Sequence, residues 1–130
     1  MSVPARDLYD LMAPPDDMAV ERALRDFARA VERTYGDRLR GIYLFGSRAR
    51  GDHTPESDAD IAIVLANGDW RRWDETMRIA DLEYETIVAT GAEPQGWPVS
   101  EREWMHPELH HNPALVRAMR RDAKDLRSPR

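Results

Sequence analysis

Apolar residues recur at helical spacing along four stretches of this chain and at strand-like spacing along two others. From Met18 to Tyr35 they fall at Val20, Leu24, Phe27, Val31 and Tyr35. Steps of three and four predict one amphipathic helix, with Gly36 placed to stop it and Pro14-Pro15-Asp16-Asp17 offering the N-cap. Leu8, Leu11 and Met12 predict a shorter helix ahead of it, over residues 5–12. Trp70, Trp73, Met77, Ala80, Tyr84 and Ile87 predict the clearest helix in the chain, with this stripe as its core face, Asn67-Gly68-Asp69 as the turn and cap before it, and Gly91 as its stop. Leu115, Val116, Met119, Ala123 and Leu126 predict a last helix, opened by Asn112-Pro113. Between the two, Ser100 and Glu103 form the pattern of a capping box for a helical turn at 100–105.

The strand signals lie between these helices. Ile42-Tyr43-Leu44-Phe45 is a continuous apolar run bounded by Gly41 and Gly46, as expected of a strand covered on both faces. Asp58 to Ala66 alternates, with Ile61, Ile63 and Leu65 on one face and Ala62 and Val64 on the other. Ala92 to Val99 contains Pro94, Gly96 and Pro98; as a strand it must lie at a sheet edge, because proline cannot donate to a ladder. The order α, β, turn, β, α, β, α predicts one small α+β (α/β) domain over residues 1–130.

Composition narrows the function classes. The chain has 130 residues and no cysteine, which excludes disulfides and thiolate metal sites. Its start lacks an apolar run of signal-peptide length and no segment approaches a membrane span, so the expectation is a cytoplasmic protein with no membrane association. The net charge of −5 argues against direct DNA binding. The charge is uneven, however: residues 113–130 carry six basic side chains against two acidic ones. Such a basic tail on an acidic body can meet a partner, a nucleotide phosphate, the body itself or solvent.

The chemistry concentrates between Gly41 and Leu65. Residues two apart on a strand point the same way, so Asp58 and Asp60 project their carboxylates from one face and repel each other unless a cation lies between them. Hard oxygen donors with open positions suit Mg²⁺ carrying phosphate oxygens. The Gly46-Ser47 turn supplies the complement: glycine allows close backbone approach, the first amides of the following turn point outwards, and the Ser47 hydroxyl adds a donor. Arg48 and Arg50 can neutralise phosphate charge or pair with local acids. Elsewhere, His106, His110 and His111 cluster without the spacing or carboxylates of a zinc site, and Trp97 and Trp104 are read as packing residues in preference to base-stacking ones.

Gly46-Ser47-Arg48-Ala49-Arg50-Gly51 followed by Ser57-Asp58-Ala59-Asp60-Ile61 resembles the signature of the DNA polymerase beta-like nucleotidyltransferase superfamily, in particular its minimal MNT-type members. The resemblance implies a small mixed β-sheet with helices packed on it, with residues 37–99 as catalytic core between N-terminal helices (1–36) and a C-terminal helical segment (100–130). It implies that Gly46 and Ser47, with Arg48 and Arg50, hold the triphosphate of ATP or another NTP, that Asp58 and Asp60 hold Mg²⁺, and that a nucleoside monophosphate passes to a hydroxyl with release of pyrophosphate. Minimal members are often encoded beside a HEPN-domain toxin and act as its antitoxin by attaching AMP to a toxin tyrosine, so a HEPN-type partner, in an oligomer with this chain, is the expected acceptor. Active members carry a third acid on the next strand, for which this chain offers Glu93 beside Pro94; Glu83 and Glu85 read as the solvated face of the long helix. That departure keeps open a second reading, an antitoxin that neutralises its partner by contact alone.

Overall fold

The computed structural model describes residues 13–127; the helix expected over 5–12 lies outside them. Asp16 caps the first helix, α1 (Asp17–Tyr35), its carboxylate accepting the Ala19 amide at 2.8 Å. A 3₁₀ turn leads into β1 (Leu39–Phe45), followed by the one-turn helix α2 (Ser47–Arg50) and by β2 (Ala59–Leu65). Then come α3 (Arg72–Thr90), β3 (Pro94–Ser100), α4 (Glu101–Met105), a second 3₁₀ turn, α5 (Pro113–Asp122) and β4 (Lys124–Asp125). The expected capping box is present, Ser100 and Glu103 bonding each other's backbone amides, and Asn112 caps α5 through the Leu115 amide.

The strands form one mixed sheet in the order β3-β2-β1-β4, with β1 antiparallel to both neighbours and β2 parallel to β3. Helices α1 and α3 cover one face. There Leu24, Phe27 and Val31 meet Ile42, Ile61, Ile63 and Ile79 in the larger core cluster. The other face carries Phe45, Ala62 and Val99 under Val116 and Met119 of α5, with Tyr43 and Trp104 stacked at 4.9 Å between ring centroids. Each fully buried leucine, isoleucine, valine, phenylalanine or methionine among them contributes on the order of 1.5–3 kcal/mol of burial free energy.

β3 is an edge strand, as its prolines require, and its outer rim is closed to further pairing. Pro94 and Pro98 present no N–H; the Gly96 N–H between them donates to the Glu83 carboxylate at 2.5 Å, and the Pro98 carbonyl accepts from Arg72. Glu83 is therefore a half-buried cap on the strand and not the solvated residue its helical position suggested. Glu85 is exposed. Gly96 is required sterically, since a Cβ there would stand 2.6 Å from Ile79 Cγ2.

Three expectations are corrected. Of the stripe read as core, Trp70 ahead of α3 does pack against the core, but the part on α3 faces outwards: Trp73, Met77 and Tyr84 are exposed, while the buried positions of the helix are Glu75 and Ile79. The helix begins at Arg72, capped by the backbone of Arg71 with no side-chain cap, so Asp69 is not its cap. The last helix stops at Asp122, because Lys124 and Asp125 pair with Tyr43 and Leu44 on the open edge of β1. Tertiary pairing there outweighs the helical period of Ala123 and Leu126.

Glu75 is the most buried acid described, and it is fully partnered. Its carboxylate accepts the Tyr35 hydroxyl at 2.8 Å and a guanidinium N–H of Arg38 at 3.3 Å, with Arg78 at 3.7 Å. Burial, followed by the bond to Glu75, raises the Tyr35 pKa, so the phenol stays protonated and donates. This network joins the end of α1 to the start of α3, at the end of the sheet away from Gly46.

Candidate nucleotide and metal site

At the opposite end of the sheet, β1 stops at Phe45 and Gly46 turns the chain into α2. Gly46 has φ +77° and ψ −156°, a region open essentially to glycine alone. It also lies against the carboxylate of Asp60, whose Oδ2 would stand 2.9 Å from a Cβ at this position. The turn and the strand acid are thus fitted to each other, with Phe45 and Asp60 paired in the ladder. The carbonyl of Gly46 accepts the amides of Ala49 and Arg50, while the amides of Ser47 and Arg48 open the helix and have no partner within it.

Asp60 is half-buried. Desolvation raises its pKa first; the nearby Trp97 indole opposes this, and the like charge of Asp58 adds to it. The Trp97 indole N–H is buried beside Asp60 and completes no hydrogen bond within the protein. No cation is paired with Asp60 among the described residues. Asp58 stands exposed just before the first residue of β2. Glu93 sits beside it, the residue before β3, with its carbonyl accepting the Ala59 amide at 3.0 Å. Its side chain is within hydrogen-bonding reach of Asp58, and that contact, then Asp58's charge, raises its pKa. Three acids therefore converge at the end of β2, in two pairs that share Asp58. Among the described residues they do not form a ready-made cage of three ligands.

Hard carboxylate oxygens crowded together, with a glycine backbone against one of them and the Asp58 charge helping to raise the pKa of Asp60 and of Glu93, fit a divalent cation that completes its shell with water and phosphate oxygens. Asp58 and Asp60 are the residues that could hold it. On β3 the residue paired with Asp60 is Gln95, and Trp97 follows on the same face. The strand itself thus supplies no acid, and Glu93 comes from the loop before it. Trp97 beside Asp60 is the site neighbour that the sequence reading missed. Its signal is one of parity, since Trp97 pairs with Ala62, two residues along from Asp60.

The arginines are placed differently from each other. Arg48 is nearly covered and ties the loop between α2 and β2 to its surroundings. It donates to the carbonyls of Ser57 at 2.9 Å, Pro55 at 3.2 Å and Thr54 at 3.4 Å, and meets Asp17 at 3.5 Å. Its guanidinium clamps the segment that carries Asp58 and is not free for a phosphate. Arg50 is half-exposed and bridges Asp52 at 3.2 Å to Asp122 of α5 at 2.9 Å. Arg121, then Arg50, holds the Asp122 pKa down to about 2. The basic C-terminal segment thereby meets the body, Arg127 also donating to the Arg40 carbonyl. His110 is buried with its Nδ1 accepting the Asn112 amide and its ring stacked on His111 at 4.3 Å between centroids, while His106 is exposed, and among the described residues the three form no metal-holding group.

The chain belongs to the nucleotidyltransferase domain family, whose model matches residues 24–112, more than half of its length. A relative from Methanocaldococcus jannaschii, assigned by name as a protein adenylyltransferase, is 51% identical over 47 residues, 36% of this chain and 47% of its own. A second of the same name and organism is 33% identical over 76 residues, 58% of this chain and 52% of its own. The chain thus spans about half the length of the curated relatives it matches. Among solved structures, a nucleotidyltransferase from Sulfolobus solfataricus has a TM-score of 0.54 at 22% identity, over 66% of this chain and 71% of that one. A toxin–antitoxin structure with AMP-PNP has a TM-score of 0.52 at 20% identity, over 82% of this chain and 74% of that one. At these identities the likeness is one of fold. No helix among the described residues is long and apolar enough to cross a membrane.

Proposed function

We propose that this chain is a Mg²⁺-dependent nucleotidyltransferase that moves AMP from ATP to a hydroxyl of a partner protein, a tyrosine of a HEPN-domain toxin, and so acts as an antitoxin. The observation that carries the activity is the unpaired acidic end of β2 set against the Gly46 turn. Asp58 and Asp60 hold the metal, which when bound neutralises charge on the phosphate oxygens. The Gly46 backbone and the Ser47 and Arg48 amides receive the triphosphate, with the Ser47 hydroxyl as a further donor. Arg48 acts by fixing the loop that carries Asp58, and Arg50 by tying α2 to α5 at the border of the site.

The attacking hydroxyl oxygen forms a bond to the α-phosphorus while the bond to pyrophosphate breaks, and the hydroxyl proton passes to Glu93. Support for that role is the position of Glu93 beside Asp58 and its elevated pKa. The adenine nucleotide is supported by the names of the relatives and by the AMP-PNP of the fold neighbour. The partner is supported by the motif resemblance and by the toxin–antitoxin neighbour.

Transfer of label from α-labelled ATP to the purified partner tests this reading. It requires Mg²⁺ and is lost in the Asp58→Ala, Asp60→Ala double variant; undiminished transfer by that variant refutes it. A second reading, neutralisation by contact without transfer, is favoured by one observation: β3 presents Gln95 and Trp97, not an acid, next to Asp60. It is distinguished by whether the double variant still silences the partner.

A further inference from the structure

The outward face of α3 is apolar over its whole length. Trp73, Met77, Ala80, Tyr84 and Ile87 step by four, three, four and three, a stripe about 21 Å long. It lies opposite the buried Glu75 and Ile79. Trp73 is 71% exposed, Tyr84 68% and the adjoining Val88 67%. Isolated apolar residues on a surface need no explanation, but a continuous stripe of this size on a helix does. These side chains offer on the order of 600 Å² of surface, close to the ~800 Å² per partner of a standard protein interface.

The charges beside the stripe decide what covers it. Asp74, Asp81 and Glu85 follow one flank, and within the described residues no ion pair reaches any of them. Arg78, the cation between them, is turned to Glu75 at 3.7 Å. A membrane surface is anionic and selects helices with lysine or arginine on this flank, so the acids repel it. In an antiparallel pair of two copies the flank meets itself, placing Asp81 against Asp81 and Asp74 near Glu85. A partner with cations at those places removes the conflict. The far end of the stripe also leads, through Gly91 and Ala92, directly to Glu93 beside Asp58.

We infer that the outward face of α3 is the docking surface for a partner protein presenting an amphipathic helix whose apolar stripe is flanked by lysine or arginine. The existence of a protein partner rests on the proposed function; the surface and its chemistry are read from α3 itself. Docked there, the partner stands one short loop from the acidic pair.

The full chain carrying a benzoylphenylalanine photocrosslinker at Met77 or Tyr84, with a control at Arg117 on α5, is irradiated in a lysate of its source cell. The same chains are irradiated alone and with anionic lipid vesicles, and the captured protein is purified and titrated against variants. The expected product maps to a helix bearing basic residues. Met77→Glu, and Asp81→Lys with Glu85→Lys, each weaken its binding at least tenfold. Charge reversal on the captured helix restores affinity for the lysine variant. A crosslink only to a second copy, only to lipid, equally from Arg117, or to nothing overturns the inference, as do charge swaps without effect. The Asp58→Ala, Asp60→Ala chain separates the two proposals. Its capture without transfer upholds the surface, whereas transfer by wild type with unchanged binding of Met77→Glu removes the surface and leaves the activity.

Discussion

Two acids of this protein are withdrawn from water at opposite ends of one sheet, and they are treated in opposite ways. Glu75, 3% exposed, has a tyrosine hydroxyl and two guanidiniums around its carboxylate. Asp60, less buried, has another acid for a neighbour, an indole N–H that completes no hydrogen bond and a glycine backbone pressed against it. The first arrangement is complete within the chain and joins α1 to α3. The second is left electrostatically unbalanced by the chain itself, and in the proposed function a cation balances it. A buried acid with its partners supplied by the fold is a structural element; one held against another acid, beside a turn with free amides, is a place for a ligand.

The largest expected difference comes from deleting each. Asp58→Ala with Asp60→Ala lowers AMP transfer at least 100-fold while the thermal midpoint stays level or rises, since a like-charge repulsion is removed; labelled-ATP transfer and calorimetry on the same preparations check both. Glu75→Ala does the reverse. It leaves the Tyr35 hydroxyl and two arginines without their acceptor and lowers unfolding free energy by about 3 kcal/mol, with ATP affinity unchanged in samples that remain folded, as urea titration and nucleotide binding will show. A milder break is Tyr35→Phe, which removes one bond to the carboxylate and costs about 1.5 kcal/mol, measurable as a shift in the urea midpoint without a change in slope.

The smallest effect sharpens the comparison through pH. Asp122 has its folded pKa lowered to about 2 by Arg121 and Arg50. Its contribution is therefore present above the unfolded value of about 3.9 and is lost as pH falls through that window. Asp60 has its pKa raised, so ionisation disfavours the folded state and its effect runs the other way, stability falling as pH rises through its titration. Urea midpoints between pH 2 and pH 6 for wild type, Asp122→Asn and Asp60→Asn reveal the signs. The Asp122 variant flattens the acid-side loss, and the Asp60 variant removes a decline on the other side. A common sign for the two would break the distinction between a partnered and an unpartnered acid.

Much of the fold was legible because it is local. The caps at Asp16, Ser100 and Asn112 satisfy amides within three residues of themselves, and the prolines of β3 confine it to an edge by their own chemistry. The candidate site was legible in part for the same reason. Gly46 and Asp60 meet across a single ladder pair, so strand parity and one turn bring them together. Parity did not reveal that Arg48 would be consumed by the carbonyls of residues 54, 55 and 57, nor that Glu83 would cap Gly96. Those bonds depend on which loop and which helix lie alongside.

Periodicity therefore determined that residues 72–90 form a helix, but it could not say which side of the helix the body would cover. Helical period belongs to the chain and burial to whatever packs against it. The fold set Glu75 and Ile79 inwards and left Trp73, Met77 and Tyr84 facing out. The sequence by itself determined the glycine turn, the alternating acids and the family they signal. Only the tertiary structure decided that one buried acid would be neutralised by Tyr35 and Arg38 while another would be left against Asp58, because charge compensation is made by neighbours in space.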